Sequence, residues 1–167
     1  MDSTQLKATQ APLKAQYRET PDKAWVTLRA RGRLGDGVRC RVETGRALVV
    51  AGLHPATGGD GHAACSGDML HEALVACAGV TLNAVATSLG IGLRDATLEA
   101  EGDLDFRGTL GVSKETPVGF QRIRLLVTLD TDAPDDQVAN LLRLTERYCV
   151  VLQTLKRPPE MTLVRKS

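Results

Sequence analysis

Residues 68–89 read DMLHEALVACAGVTLNAVATSL. No proline interrupts the run, and its one glycine, Gly79, is interior. The apolar residues Met69, Leu70, Ala73, Leu74, Ala76, Cys77, Val80, Ala84 and Val85 occupy more than one face at helical spacing. The segment is therefore expected to be a helix buried nearly all round, and Gly90 stands where a helix C-terminus favours glycine. A helix with that much apolar surface needs cover on several sides, so the fold is read outward from it.

Upstream, WVTLRARGRL (25–34) alternates crudely, with Val26, Leu28 and Ala30 on one face and Thr27, Arg29, Arg31 and Arg33 on the other. That is the texture of a half-buried strand. Asp36-Gly37 signals a turn, and Val38, Cys40 and Val42 then alternate with Arg39, Arg41 and Glu43. Thr44-Gly45 turns the chain again into RALVVAG (46–52), completing an antiparallel meander. GLHPATGGDGHAACSG (52–67) reads as a loop.

Downstream, ATLEAEGDLDF (96–106) and FQRIRLLVTLD (120–130) read as strands, separated by the loop RGTLGVSKETPVG (107–119). Pro134, Asp135 and Asp136 open a second helix, since proline suits a first turn and carboxylates complement its positive end. Val138, Leu141, Leu142, Thr145, Cys149 and Leu152 follow at helical spacing until Pro158-Pro159, and MTLV (161–164) is expected to add a last strand. The order βββ-α-ββ-α-β contains no βαβ repeat. The expected fold is α+β, an antiparallel sheet packed on two long apolar helices. Residues 1–24 form a polar N-terminal extension, with a short helical turn near 15–20, and residues 25–167 form the domain.

Composition narrows the function. Twenty-one Lys and Arg face 20 Asp and Glu, a formal charge of +1, which argues against a general nucleic-acid or other polyanion binder. One Trp, two Tyr and two Phe are too few for a base-stacking platform. At 43% hydrophobic residues the chain is not disordered. No apolar run is expected to reach the length of a membrane span, and MDSTQLKATQAPLKAQ has no apolar signal core, so the expected location is the cytoplasm. Four irregularly spaced cysteines make no disulfide framework, and thiols stay reduced in that compartment unless chemistry changes them.

Cys77, among Ala76, Ala78 and Gly79, and Cys149, between Tyr148 and Val150, are each either small apolar fillers or reactive thiols. Both fall on buried faces of different helices, and packing those helices together could bring the sulfurs within disulfide reach, a pairing the residues alone leave open. Cys40 reads as core. His62, Cys65 and His71 can be drawn as a zinc set, but the sequence has no second closely spaced cysteine pair, so no metal is expected. His62 and His71 read instead as polar loop and helix-surface residues. Gly58-Gly59 lacks the Lys-Ser/Thr of a phosphate loop and is expected to let the loop pass closely over the helix. Asp68 reads as a helix N-cap or first-turn acid, and the strand arginines as solvated charges.

Three stretches together resemble one known family: GLHPATGGDGHAACSGDMLHEALVACAGVTL (52–82), GDLDFRGTLGVSKETPVGFQRIRLLVTLD (102–130) and LTERYCVVLQTL (144–155). They resemble the OsmC/Ohr family of organic hydroperoxide resistance proteins, over roughly residues 25–165. The resemblance implies a thiol peroxidase that reduces organic hydroperoxides without metal, haem or other cofactor. It implies Cys77 as the peroxidatic thiolate, Cys149 as the resolving thiol and an external dithiol as reductant; Cys65, on its loop, reads as an incidental thiol or an alternative resolving partner. It further implies an arginine held by a carboxylate beside the thiol. Asp68 stands in the acidic position, one methylene shorter than the glutamate common in the family, and Arg31 is the preferred arginine among Arg29, Arg31 and Arg33.

Val150 stands where many members have proline after the second cysteine, so the helix is expected to run through Cys149 rather than start there. Members form intertwined homodimers with sites at the interface. The departures at Asp68 and Val150 keep an alternative open: an OsmC-like binding or structural dimer protein with little peroxidase turnover.

Overall fold

The computed structural model describes residues 48–166 without interruption, strands 31–34 and 40–43, and scattered N-terminal positions (2–5, 8, 10, 11, 15, 19 and 20). The side chains of 31–34, 40–43 and 48 lie outside the description. The expected strand over 25–30 with Arg29, the turns at Asp36-Gly37 and Thr44-Gly45, and the core placement of Cys40 also lie outside it. The chain divides into two compact units: Ala73–Glu99 with Val127–Ser167 belong to one, and Lys7–Glu72 with Ala100–Leu126 form the other.

In the second unit, β1 (Arg31–Leu34), β2 (Cys40–Glu43) and β3 (Leu48–Gly52) form the expected antiparallel meander, with Arg31 opposite Glu43 and Cys40 opposite Ala51. The expected loop contains more order than its composition suggests. His54 caps a turn of 3-10 helix at Pro55–Thr57, Gly58 takes φ +89°, and the chain doubles back. β4 (Ala64–Cys65) then lies parallel to β3, Gly52 opposite Cys65, so the sheet is mixed rather than wholly antiparallel. A Cβ at Gly59 would overlap the Leu53 carbonyl, so that glycine is needed for the loop's approach to its own backbone. The expected passage over the helix is thus corrected to a closure within the loop.

Helix α1 (Ser66–Leu89) begins two residues earlier than Asp68 and runs 24 residues, about 36 Å. Gly90 ends it at φ +71°, with Gly90 N–H on the Thr87 carbonyl (3.3 Å) and Ile91 N–H on the Ala86 carbonyl (2.9 Å). This is the paired hydrogen bonding of a Schellman stop. Burial along α1 follows a single stripe of every fourth residue: Leu74, Ala78, Leu82 and Ala86. The opposite face, Ala73, Ala76, Val80 and Asn83, is exposed, Val80 by 74%. The expectation of burial all round is corrected: one chain covers one face only. The helix is also long and apolar enough to cross a membrane, with a stretch of mean hydropathy 1.5, contrary to the expectation that no run reaches that length.

β5 (Asp95–Asp103) and β6 (Arg122–Asp130) pair antiparallel, tied at one end by Arg94 N–H to the Asp130 carbonyl and at the other by Gln121 N–H to the Asp103 carbonyl. The strict alternation of β5 places Ala96 and Leu98 inward. In the first unit they pack with Val127 and Leu129, Val85, Ile91 and Leu93 on the buried centre Leu82, Ala86 and Leu141. Full burial of a leucine such as Leu82 or Leu141 contributes about 1.5–3 kcal/mol. Between the strands, α2 (Phe106–Thr109) is one helical turn capped by Asp105.

Helix α3 (Asp135–Tyr148) follows Pro134, and α4 (Val150–Lys156) follows at once, the two parted by Cys149. α3 is amphipathic, burying Leu141 and Thr145 on one side and exposing Asp136, Arg143 and Arg147 on the other. The fold therefore has one long apolar helix and one broken amphipathic one, not two long apolar helices. Met161, Leu163 and Val164 are exposed and form no strand, which corrects the expectation for MTLV.

Candidate active site

The break at Cys149 organises the site. Cys149 adopts φ −71°, ψ 106°, ending α3 with its N–H on the Thr145 carbonyl (3.0 Å) and starting α4 with its carbonyl accepting from Gln153 N–H (2.9 Å). No proline enforces the corner. Two consecutive β-branched residues, Val150 and Val151, weaken helix continuation there. The Gln153 side chain donates from Nε2 to the Glu146 carbonyl (2.7 Å), satisfying a group the break leaves open, and Lys156 pairs with Glu146 across the same corner. The expectation that the helix runs through Cys149 is thus corrected: the thiol lies at a helix start after all.

Cys149 is fully buried, whereas Cys77, on α1, is half-buried. Both are free thiols. Burial alone would push the Cys77 pKa up, but the backbone N–H of Val151, the Cys149 thiol and the N–H of Val150 all donate toward its sulfur and hold it below its ordinary value. Cys149 moves the other way. Burial is the main cause, and the facing Cys77 sulfur, hydrogen bonded to it and repelling a second negative charge, adds to it. Val150 and Val151 are first-turn residues of α4, so their N–H groups have no partner within the helix and are free to serve a thiolate.

Thr81, one turn beyond Cys77, also bears on its sulfur. Its hydroxyl is already donated to the Cys77 carbonyl at 2.8 Å. That single proton serves the thiolate only when the carbonyl bond is given up, so the α4 amides and Cys149 are the dependable donors. The arrangement can hold one thiolate beside one protonated thiol, which is the starting state for attack on an electrophile followed by closure of a disulfide.

The remaining expected site residues lie elsewhere in the chain. Asp68 is exposed in the first turn of α1 and makes no ion pair among the described residues. Arg31 opens β1 and Arg33 follows within it, their side chains outside the description. Cys65 is a half-buried free thiol at the end of β4. His62 is exposed. His71 departs from the surface role expected of it. Its ring packs on Phe120 at 4.7 Å and 55°, with Nε2 buried and without a hydrogen-bond partner. Among the described residues, His62, Cys65 and His71 do not converge as a metal-ligand set.

Residues 59–164 match the family described as OsmC-like protein. The chain belongs to that family. Solved structures agree on the OsmC-like fold. An OsmC-like protein from Mycoplasma pneumoniae superposes at TM-score 0.67 with 14% identity, over 80% of this chain and 89% of that one. An organic hydroperoxide resistance protein from Elizabethkingia anophelis gives TM-score 0.64 and 14% identity over 80% and 91%. An organic hydroperoxide resistance protein OsmC from Legionella pneumophila gives 0.62 and 19% over 79% and 90%. No curated protein matches the sequence.

Within the OsmC-like chain, reasoning from residue types missed two contributors to the site. The amides of Val150 and Val151 carry no signature, because any residue supplies a backbone N–H. Gln153 was silent for a similar reason, since its role depends on a helix break that its neighbours do not announce.

Proposed function

We propose that this OsmC-like protein is a cysteine-based peroxidase of oxidative-stress defence that reduces organic hydroperoxides. The observation that carries the reading is the unequal thiol pair, with Cys77 below its ordinary pKa beside a Cys149 held protonated above its own. The Cys77 thiolate attacks the outer peroxide oxygen. The O–O bond breaks, the alcohol leaves after taking a proton, and Cys77 is oxidised to sulfenic acid. The Cys149 thiol then displaces the sulfenic oxygen as water, forming the disulfide. An external dithiol, oxidised in turn, returns both thiols. Arg31, with Asp68 orienting it, is the proposed cation beside the peroxide, and the cytoplasm is the proposed location.

A homodimer belongs to the same reading. Ala73, Ala76, Val80 and Asn83 recur at spacings of three and four along the exposed face of α1, which is the seam by which helices pair. Small side chains there let a second copy approach closely, and burial against it suits an apolar helix better than a bilayer would. The shorter carboxylate of Asp68, exposed on α1, and Val150 in place of proline favour a second reading, an OsmC-like binding or structural dimer protein with little turnover.

Reduced protein mixed with cumene hydroperoxide is expected to lose two thiols per chain. Cys149→Ser is expected to stop at a sulfenic acid that dimedone traps, and Cys77→Ser to leave the peroxide intact. Both thiols remaining unreacted would overturn the proposal. Fast, repeated peroxide consumption with a dithiol would exclude the low-turnover reading.

A further inference from the structure

The α3–α4 corner carries a second feature besides the thiols. A solvent-open cavity of about 430 Å³ is lined by Arg143, Glu146, Arg147, Gln153, Lys156 and Arg157. Its volume falls within the range of small-molecule sites, roughly 300–1,000 Å³. Four cations and one carboxylate give the lining a formal charge of +3, in a chain whose whole formal charge is +1.

Cations at helix ends have an ordinary explanation, since they offset the partial negative charge of the last carbonyls. Arg147 and Lys156 stand in the last turns of α3 and α4 and fit it. It does not account for four cations converging on one concavity. Their side chains are also held in place. Arg143 donates to Asn140 Oδ1 at 2.7 Å, Arg147 lies over the Tyr148 ring at 5.5 Å, and Lys156 is anchored on Glu146. Among the described residues neither Arg147 nor Arg157 meets a carboxylate, so both guanidinium forks are free for an incoming anion. The platform beneath them is fixed by the Gln153 to Glu146 bond across the corner.

We propose that this cavity binds a small, multiply charged phosphate compound, its phosphates bridging Arg143 and Arg147 on α3 to Lys156 at the end of α4 and Arg157 just past it. Guanidinium forks match phosphate oxygens in pairs, and the lone carboxylate is already neutralised by Lys156. The charges are borne by a chain of phosphates or by the polyphosphate arm of a nucleotide, and both present the same oxygens.

The test is calorimetric titration of the full-length reduced protein with tripolyphosphate, ATP and adenosine in low salt. Chloride at matched ionic strength is the reference. Saturable one-to-one binding of tripolyphosphate is expected, weakening as salt rises. ATP binding no tighter than tripolyphosphate assigns the site to the phosphates alone, and tighter binding assigns it to a nucleotide. Adenosine is expected not to bind.

Arg147→Gln and Arg157→Gln are each expected to weaken binding about tenfold, with unchanged circular dichroism as the check on folding. Glu146→Gln, which removes the only negative lining group, is expected to tighten it. No saturable binding beyond the chloride reference would overturn the proposal. So would binding that both arginine variants leave intact, or that Glu146→Gln fails to strengthen.

Discussion

Cys149 faces the Cys77 sulfur as a hydrogen-bond donor, so the accessible Cys77 gives up its proton more readily than the buried Cys149. In the proposed cycle this makes Cys77 the first nucleophile and Cys149 the thiol that waits.

That order has a pH signature. A depressed pKa means that the Cys77 thiolate persists below the value of about 8.5 typical of free cysteine, while Cys149 ionises only above it. Iodoacetamide labelling between pH 5 and 9, read by peptide mass spectrometry, is expected to modify Cys77 first. Its rate should fall as pH drops through the lowered pKa. Equal labelling of both thiols with a midpoint near 8.5 would contradict the assignment.

The corner itself is open to test through Gln153. Gln153→Ala removes the donor to the Glu146 carbonyl and is expected to cost about 0.5–1.5 kcal/mol in urea unfolding. Loosening the start of α4 also loosens the Val150 and Val151 amides. Slower Cys77 labelling at pH 7 is therefore expected, an effect that a purely structural role would not produce.

Gly102 has no room for a side chain. A Cβ there would overlap His71 Nε2 and stand 2.7 Å from Phe120 Cδ1. Gly102→Ala is expected to destabilise by about 1–3 kcal/mol. His71→Ala combined with it should recover part of that loss, because the obstructing ring is gone. Additive losses in the double variant would show that His71 is not the obstruction.

Gly79 within α1 and Gly90 just past its end should respond with opposite signs. Gly79 is helical, and an added Cβ would meet only Leu98 Cδ1 at an ordinary 3.8 Å, so Gly79→Ala is expected to stabilise by about 0.5–1 kcal/mol. Gly90, at φ +71°, is expected to lose about 1–2 kcal/mol as alanine despite open space around it. Thermal melts of the two variants compare them directly.

Val80→Asp places a charge in the middle of the bare face of α1 without touching the Leu74–Ala86 stripe. If a second copy covers that face, light scattering should show the dimer dissociating to monomer at micromolar concentration. An unchanged mass would place the interface elsewhere.

Much of the fold was legible because it rests on local rules. The alternation of β5, the acidic first turn of α3 after Pro134 and the glycine stop of α1 each depend on a few neighbouring residues. What escaped was non-local. β4 pairs with β3 only because the His54–Gly59 loop doubles back, and two short residues, Ala64 and Cys65, give no strand signal of their own. The helix break at Cys149 escaped for the same reason, the Glu146 carbonyl being satisfied by the Gln153 side chain further along the chain. The cysteine pair was legible as residue types on two buried faces, but its inequality was not. That inequality arises from backbone amides, which no residue letter records.

The placement of Cys77 in the middle of α1 and Cys149 at the α3–α4 corner makes the pair a cross-link between distant parts of the chain. A disulfide there would close a loop of roughly 70 residues and restrict the unfolded chain by about 4 kcal/mol in the chain-entropy account. Each turn of the proposed cycle would thus fasten and release the molecule. The reduced form, ready to react, would be the one more easily melted or digested, and resistance to heat or protease would report how much of the protein in a cell had just met a peroxide.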